Sequence, residues 1–451
     1  MKNLKFLLTF VLFVALSATS FARTPKYVFF IIGDGMGISQ VYATEYYMGQ
    51  VGLGELNFKH FPVVTMVTTH SASSLVTDSA ASGTALATGR KTKNGMLGVL
   101  PDSTAVVSLS EKAKAKGLGA AVVTSDALVQ ATPAAFSIHC PSRKNTDDIA
   151  LQQINSNIDF MAGSTIYGKN TSTAELIRMA REKGIEVFCG EKAYSPVKGK
   201  RVMYLSENPE EAVLPYTMDN KDGKRSLKDF TAAAIDYMYS NYRKGFFMMI
   251  EGAHTDGAGH SKDAASTINE VLNLSRSVDI VLDFYNKHPE ETLIIVTSDH
   301  ETGACTIRGS KLNLLENQNG SITALTDSLT LLAADGKEVT WSAVKNLLRK
   351  QMGFWDDIPV SKEEEKVLTA LYKEAFLDFE SDKEADLYHT NRKLAVEAVR
   401  YIESVSGLNF YSSSHTGTPV GLYVKGAKAS EFMSCRDNTD IPATVSRVAG
   451  Y

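Results

Sequence analysis

The chain has 451 residues, with 47 lysines and arginines against 51 aspartates and glutamates, for a formal net charge of −4. Such mild acidity argues against nucleic acid or an anionic membrane as the main partner, and the length suits one large α/β domain or two smaller ones. Four widely spaced cysteines (Cys140, Cys189, Cys305, Cys435) form no CxxC pair, which speaks against a zinc ribbon or dithiol redox motif and leaves their disulfide state open.

Met1 to Ala22 reads as a secretory signal peptide. Lys2 and Lys5 precede an apolar stretch from Phe6 to Leu16, and Ser20-Phe21-Ala22 supplies small residues where a signal peptidase cuts. The expected mature chain runs from Arg23 to Tyr451, is exported to the periplasm or beyond the cell, and carries no later apolar stretch of the ~18 residues that a spanning helix needs.

Tyr27 to Ile32 is a continuous apolar run, as expected of a strand buried on both faces of a parallel sheet. It leads into Gly33-Asp34-Gly35-Met36-Gly37, where the third glycine of a dinucleotide fingerprint would fall on Ile38 and Asp34 would repel a pyrophosphate. Glycines around a carboxylate fit a metal ligand better, because backbone and ion can come close. Val63 to Val67 reads as the next strand. A helix is expected to start at Asp78-Ser79, where either residue is more often a plain N-cap, while Ser79 is also the candidate nucleophile at the positive end of the helix dipole. A helix over Ser103 to Lys116, a strand over Gly119 to Thr124 and a helix entered at Pro133 follow. Further helices are read at Thr173 to Glu182 and Ser226 to Tyr242. Phe246 to Ile250 and Leu293 to Ser298 repeat the buried-strand pattern, ending in Glu251 to His260 and in Asp299-His300-Glu301. Thr306 to Phe410 reads as an insertion with helices at Glu363 to Phe379 and Asn391 to Ser404, the first presenting Leu368, Leu371, Ala375 and Phe379 on one face. A strand over Gly421 to Lys425 and a helix ending near Val448 close the chain.

Three buried strands thus deliver carboxylates or imidazoles at their C-terminal ends, where open α/β sheets place ligands. Taken singly, each such residue is more often a cap or a surface group. Taken together they suit a pair of divalent ions acting on a phosphoryl group, and the i, i+4 spacing of Asp256 and His260 would aim both at one ion.

Gly33-Asp34-Gly35-Met36-Gly37, Thr77-Asp78-Ser79-Ala80-Ala81-Ser82, Ala131-Thr132-Pro133-Ala134 with Arg143, Glu251-Gly252-Ala253 with Asp256 and His260, Ser298-Asp299-His300 and His415-Thr416-Gly417 together resemble the alkaline phosphatase family, in the family's order and over nearly the whole chain. The resemblance implies a three-layer αβα sandwich with a mainly parallel sheet and a helical insertion. It implies a phosphate monoester hydrolase with Ser79 as the nucleophile of a phosphoserine intermediate and Arg143 as the phosphate clamp. Asp256, His260 and His415 would hold one Zn²⁺, Asp34, Asp299 and His300 a second, and Asp34, Thr132 and Glu251 one Mg²⁺. The family also implies a homodimer. Two positions depart from its pattern: Gln130, where an aspartate beside the magnesium is common, and Gly257, which has no side chain with which to touch phosphate. A phosphodiesterase or sulfatase of the same superfamily, or a non-catalytic exported phosphate- or metal-binding protein, are the alternatives. A sulfatase would need a C/S-x-P-x-R context that Ser79-Ala80-Ala81-Ser82 does not supply.

Overall fold

The computed structural model describes residues 23–190, 195–210, 214–334, 338–378 and 384–451; the leader expected at Met1 to Ala22 lies outside them. The strands in chain order are β1 (Tyr27–Gly33), β2 (Val63–Val67), β3 (Gly119–Thr124), β4 (Phe160–Gly163), β5 (Glu186–Cys189), β6 (Val202–Leu205), β7 (Phe246–Gly252), β8 (Thr292–Ser298), β9 (Glu301–Thr302), β10 (Cys305–Ile307), β11 (Leu408–Phe410), β12 (His415–Thr416) and β13 (Val420–Gly426). Nine of them form one sheet in the order β2-β13-β8-β1-β7-β3-β4-β6-β5. Only β13 runs against its neighbours.

Every residue of β1, β7 and β8 is buried. Alternation along β1 sends Phe29 and Ile31 into one apolar layer and Val28, Phe30 and Ile32 into the other, so helices cover both faces of the sheet. The result is the expected αβα sandwich. Pairing is in register, with Gly33 opposite both Gly252 and Ser298, and Thr124 opposite Glu251. The first residues beyond these strands therefore emerge along one edge.

Some helices differ from expectation. In place of a helix over Ser103 to Lys116, the chain is helical only over Leu109–Ala115, closed by a Ser108/Glu111 capping box. Ser103 sits at φ 70°, which breaks any earlier helical turn. The 24-residue helix Ala264–Lys287, the spine of one helical layer, escaped notice because Asn273, Ser275 and Ser277 are buried within it and blur its apolar stripe. Among its described residues, the segment read as an insertion holds four α-helices rather than two: Ile322–Leu331, Trp341–Met352, Lys362–Phe376 and Glu384–Ser406. β10 and β11 pair Cys305 with Phe410, so this segment leaves and rejoins the body at one point. Leu368 and Ala375 are buried on the predicted face, whereas Phe379 lies outside the described residues. Cys140, Cys305 and Cys435 are free thiols.

Candidate active site

The helix Ser79–Thr88 begins with Ser79, and Asp78 caps it by accepting the Ala81 N–H at 3.0 Å. The cap reading therefore holds for Asp78, and Ser79 is the buried first residue of the helix. The second carboxylate oxygen of Asp78 accepts the Gly95 N–H (3.0 Å) and Arg143 Nη1 (3.2 Å), so the cap also tethers the guanidinium. Ser79 Oγ lies 3.2 Å from His300 Nε2. Asp34, Ser79, Thr132, Arg143, Glu251 and Asp256 share the wall of one cavity of about 900 Å³.

Two ligand-like groups stand side by side, Asp34 with Asp299 and His300, and Asp256 with His260 and His415. The His300 and His415 rings stack at 3.6 Å and join them. The first group is the buried floor and the second opens to solvent, since the His300 side chain is 0% exposed and that of His260 is 40% exposed. Asp256 and His260 occupy one face of the helix His254–Ser261, as their spacing required. Gly35, at φ 70°, lets the loop after β1 close on this helix, because a Cβ there would fall 2.7 Å from the Asp256 Cα.

Hydrogen bonds fix which ring nitrogens are bare. His260 Nδ1 donates to the Ser413 carbonyl (2.7 Å) and His415 Nδ1 to that of Thr77 (3.0 Å), so in the neutral, metal-binding form of each ring Nε2 carries the lone pair, and the two Nε2 atoms lie 3.1 Å apart. The Asp256 oxygens are 3.2 and 3.4 Å from these nitrogens. Thr302 Oγ1 gives its proton to Asp256 at 2.5 Å and can only accept from His300 Nδ1 at 3.2 Å, which leaves His300 Nε2 bare, 3.1 Å from Asp299 and 3.5 Å from Asp34. Lone pairs converge at both points. Asp34 Oδ1, Asp299 Oδ2 and Thr132 Oγ1 are buried with no hydrogen-bond partner among the described residues. Such an arrangement is costly without a cation and well suited to one, so the residues fit the metals that the resemblance implies.

The electrostatics agree. Burial, then the neighbouring Asp299 and Asp256 charges, pushes the Asp34 carboxyl well above its ordinary range, and burial pushes Glu251 up to about 8. Burial also opposes the Asp256 charge, yet hydrogen bonds to His260 and His415 hold this carboxyl far below the usual range. The hydrogen bond to Asp256 raises His260 to about 9, while burial lowers His300.

All ten site residues expected from the sequence come together here. Glu301, next to His300, turns away to accept hydrogen bonds from Gln40 and Thr416, so it braces the loop rather than facing an ion. Thr302 and Thr124 were missed. Thr124 donates to Glu251 at 2.5 Å and Thr302 sets the His300 tautomer; the one sequence signal was that residues 300 and 302 fall two apart. Thr302→Val is expected to weaken metal binding roughly ten- to a hundredfold in chelator competition, and unchanged affinity would remove this role from Thr302.

The alkaline phosphatase family model matches residues 25–164 and 161–451. Alkaline phosphatase 4 of Bacillus subtilis is 29% identical over 431 residues, covering 92% of this chain and 86% of that protein. Alkaline phosphatase of Escherichia coli is 28% identical over 62% of this chain and 70% of its own. Among solved structures, the cold-active alkaline phosphatase of a psychrophilic Shewanella superposes with a TM-score of 0.79 at 28% identity, over 94% of this chain and 99% of that one. With a matched model spanning both halves of the sheet and a full-length structural counterpart, the chain belongs to the alkaline phosphatase family of phosphatase enzymes.

Proposed function

We propose that the chain is a metal-dependent phosphate monoester hydrolase with Ser79 as its nucleophile. The observation that carries this reading is the placing of Ser79 Oγ at a helix N-terminus, 3.2 Å from the bare His300 Nε2, in a cavity it shares with Arg143. Asp256, His260 and His415 would hold one Zn²⁺, Asp34, Asp299 and His300 the second, and Asp34, Thr132 and Glu251 one Mg²⁺. When bound, these ions supply Lewis-acid charge that lowers the pKa of the serine hydroxyl and stabilises the leaving oxygen.

The protein's own groups do the rest. Arg143 spends one nitrogen on Asp78 and keeps the others to grip two phosphoryl oxygens, a fork that favours the dianion of a monoester. Backbone N–H groups at the start of the Ser79–Thr88 helix favour the same charge. Ser79 Oγ attacks phosphorus in line. The new Oγ–P bond forms as the bond to the ester oxygen breaks, giving an alcohol and a phosphoserine that water then cleaves to phosphate.

Export is supported by the leader read at Met1 to Ala22, and a homodimer by family membership. Among the described residues no helix is long and apolar enough to cross a membrane. The test compares one chromogenic leaving group as phosphate monoester, phosphate diester and sulfate ester. Preferred turnover of the monoester is expected; preference for the diester or sulfate would move the chain to a sister activity, and phosphate binding without turnover by the metal-loaded protein would make it a binder.

A further inference from the structure

Gly257, next to Asp256, lines the cavity wall. A Cβ built there would lie 2.9 Å from Tyr216 Oη and 3.9 Å from Tyr216 Cζ, so the glycine leaves room for this hydroxyl alone. Tyr216 comes from the connection between β6 and the helix Leu227–Asn241, and both residues line the cavity that holds Ser79 and Arg143. Its turn is held from two sides. Thr217 N–H donates to the buried Glu270 at 2.6 Å, and the Asp219 carboxylate accepts both the N–H (2.8 Å) and the hydroxyl (2.6 Å) of Ser321. The ring meets His254 edge to face at 5.5 Å between centroids. All this fixes the ring, yet its hydroxyl has no hydrogen-bond partner among the described residues. Burial and then the surrounding carboxylates push its pKa upward, so the group keeps its proton at alkaline pH and remains a donor.

We propose that Tyr216 is a substrate-binding residue whose hydroxyl donates a hydrogen bond to a phosphoryl oxygen of the bound ester, through the opening that Gly257 provides. A fixed, protonated hydroxyl is a donor for an anion already gripped by Arg143, and a side chain at position 257 would displace it. This inference rests on the function proposed above.

The experiment uses the metal-loaded full chain and inorganic phosphate as probe. Tyr216→Phe is expected to raise the phosphate inhibition constant and KM about tenfold. Gly257→Ala is expected to do the same, by forcing the hydroxyl aside. The double variant should be no worse than Tyr216→Phe, because the new Cβ then meets only the ring carbon at 3.9 Å. Unchanged phosphate inhibition in Tyr216→Phe, or full additivity of the two substitutions, would overturn the contact. If Tyr216→Phe failed to fold, Gly257→Ala read alone decides: unaltered phosphate affinity overturns the contact and a loss supports it. Absence of turnover in the wild type would strike the proposed function instead, and calorimetric phosphate binding by the same variants would still read the Tyr216 contact.

Discussion

Ser79→Ala is expected to lower monoester turnover by at least roughly 10,000-fold while leaving the fold and metal content intact. The size follows from losing the attacking atom, since neither Arg143 nor the helix N-terminus can replace an oxygen that bonds to phosphorus. The fold should survive because the cap on this helix is Asp78, not Ser79. The Ala81 N–H keeps its acceptor, Arg143 keeps its tether, and alanine is a good residue in a first helical turn. Residual activity within about tenfold of wild type would mean that another nucleophile, or direct attack by water, carries the reaction.

The second large effect is expected on removing the metals, and it has a pH signature separate from activity. In the metal-free protein Glu251 is raised to about 8 from an ordinary 4.5, Asp34 is raised as well, and His260 is raised to about 9 from 6.5. A group whose folded pKa lies above its unfolded value contributes stability at low pH that is lost as pH rises through the folded value. All three therefore act in one direction, Glu251 up to about pH 8 and His260 from 6.5 to about 9, with Asp34 adding to the same loss above its ordinary range. His300, whose pKa is lowered by burial, opposes them only below its ordinary 6.5. Chelated protein should thus melt progressively lower from pH 6.5 to 9. Metal-loaded protein should not follow, because the ligands bind ions in their deprotonated forms and binding tightens as protons leave. Parallel melting curves for the chelated and loaded protein across this range would show that the converging lone pairs do not mark metal sites.

Much of this site was legible because its ligands sit where the sequence pattern changes. Tyr27 to Ile32, Phe246 to Ile250 and Leu293 to Val296 are continuous apolar runs, each followed within three residues by a carboxylate, and a parallel sheet brings such ends to one edge. The i, i+4 pair Asp256 and His260 needed only a helical turn to face one point. What stayed hidden depends on contacts between segments far apart in sequence. No local pattern reveals that Thr302 links Asp256 to His300, that Asp78 holds Arg143, or that Tyr216 fills the space above Gly257. The helices Ile322–Leu331 and Trp341–Met352 were missed for another reason: threonines and serines dilute the apolar face of the first, and few buried residues mark that of the second.

Passage of the phosphoryl group through Ser79 is read by a rapid acid quench of the metal-loaded enzyme during monoester turnover, followed by peptide mass spectrometry. One phosphoryl group is expected on the peptide containing Ser79, absent from Ser79→Ala and from chelated protein. Steady turnover with no covalent phosphate, or with the phosphoryl group on another residue, would contradict it.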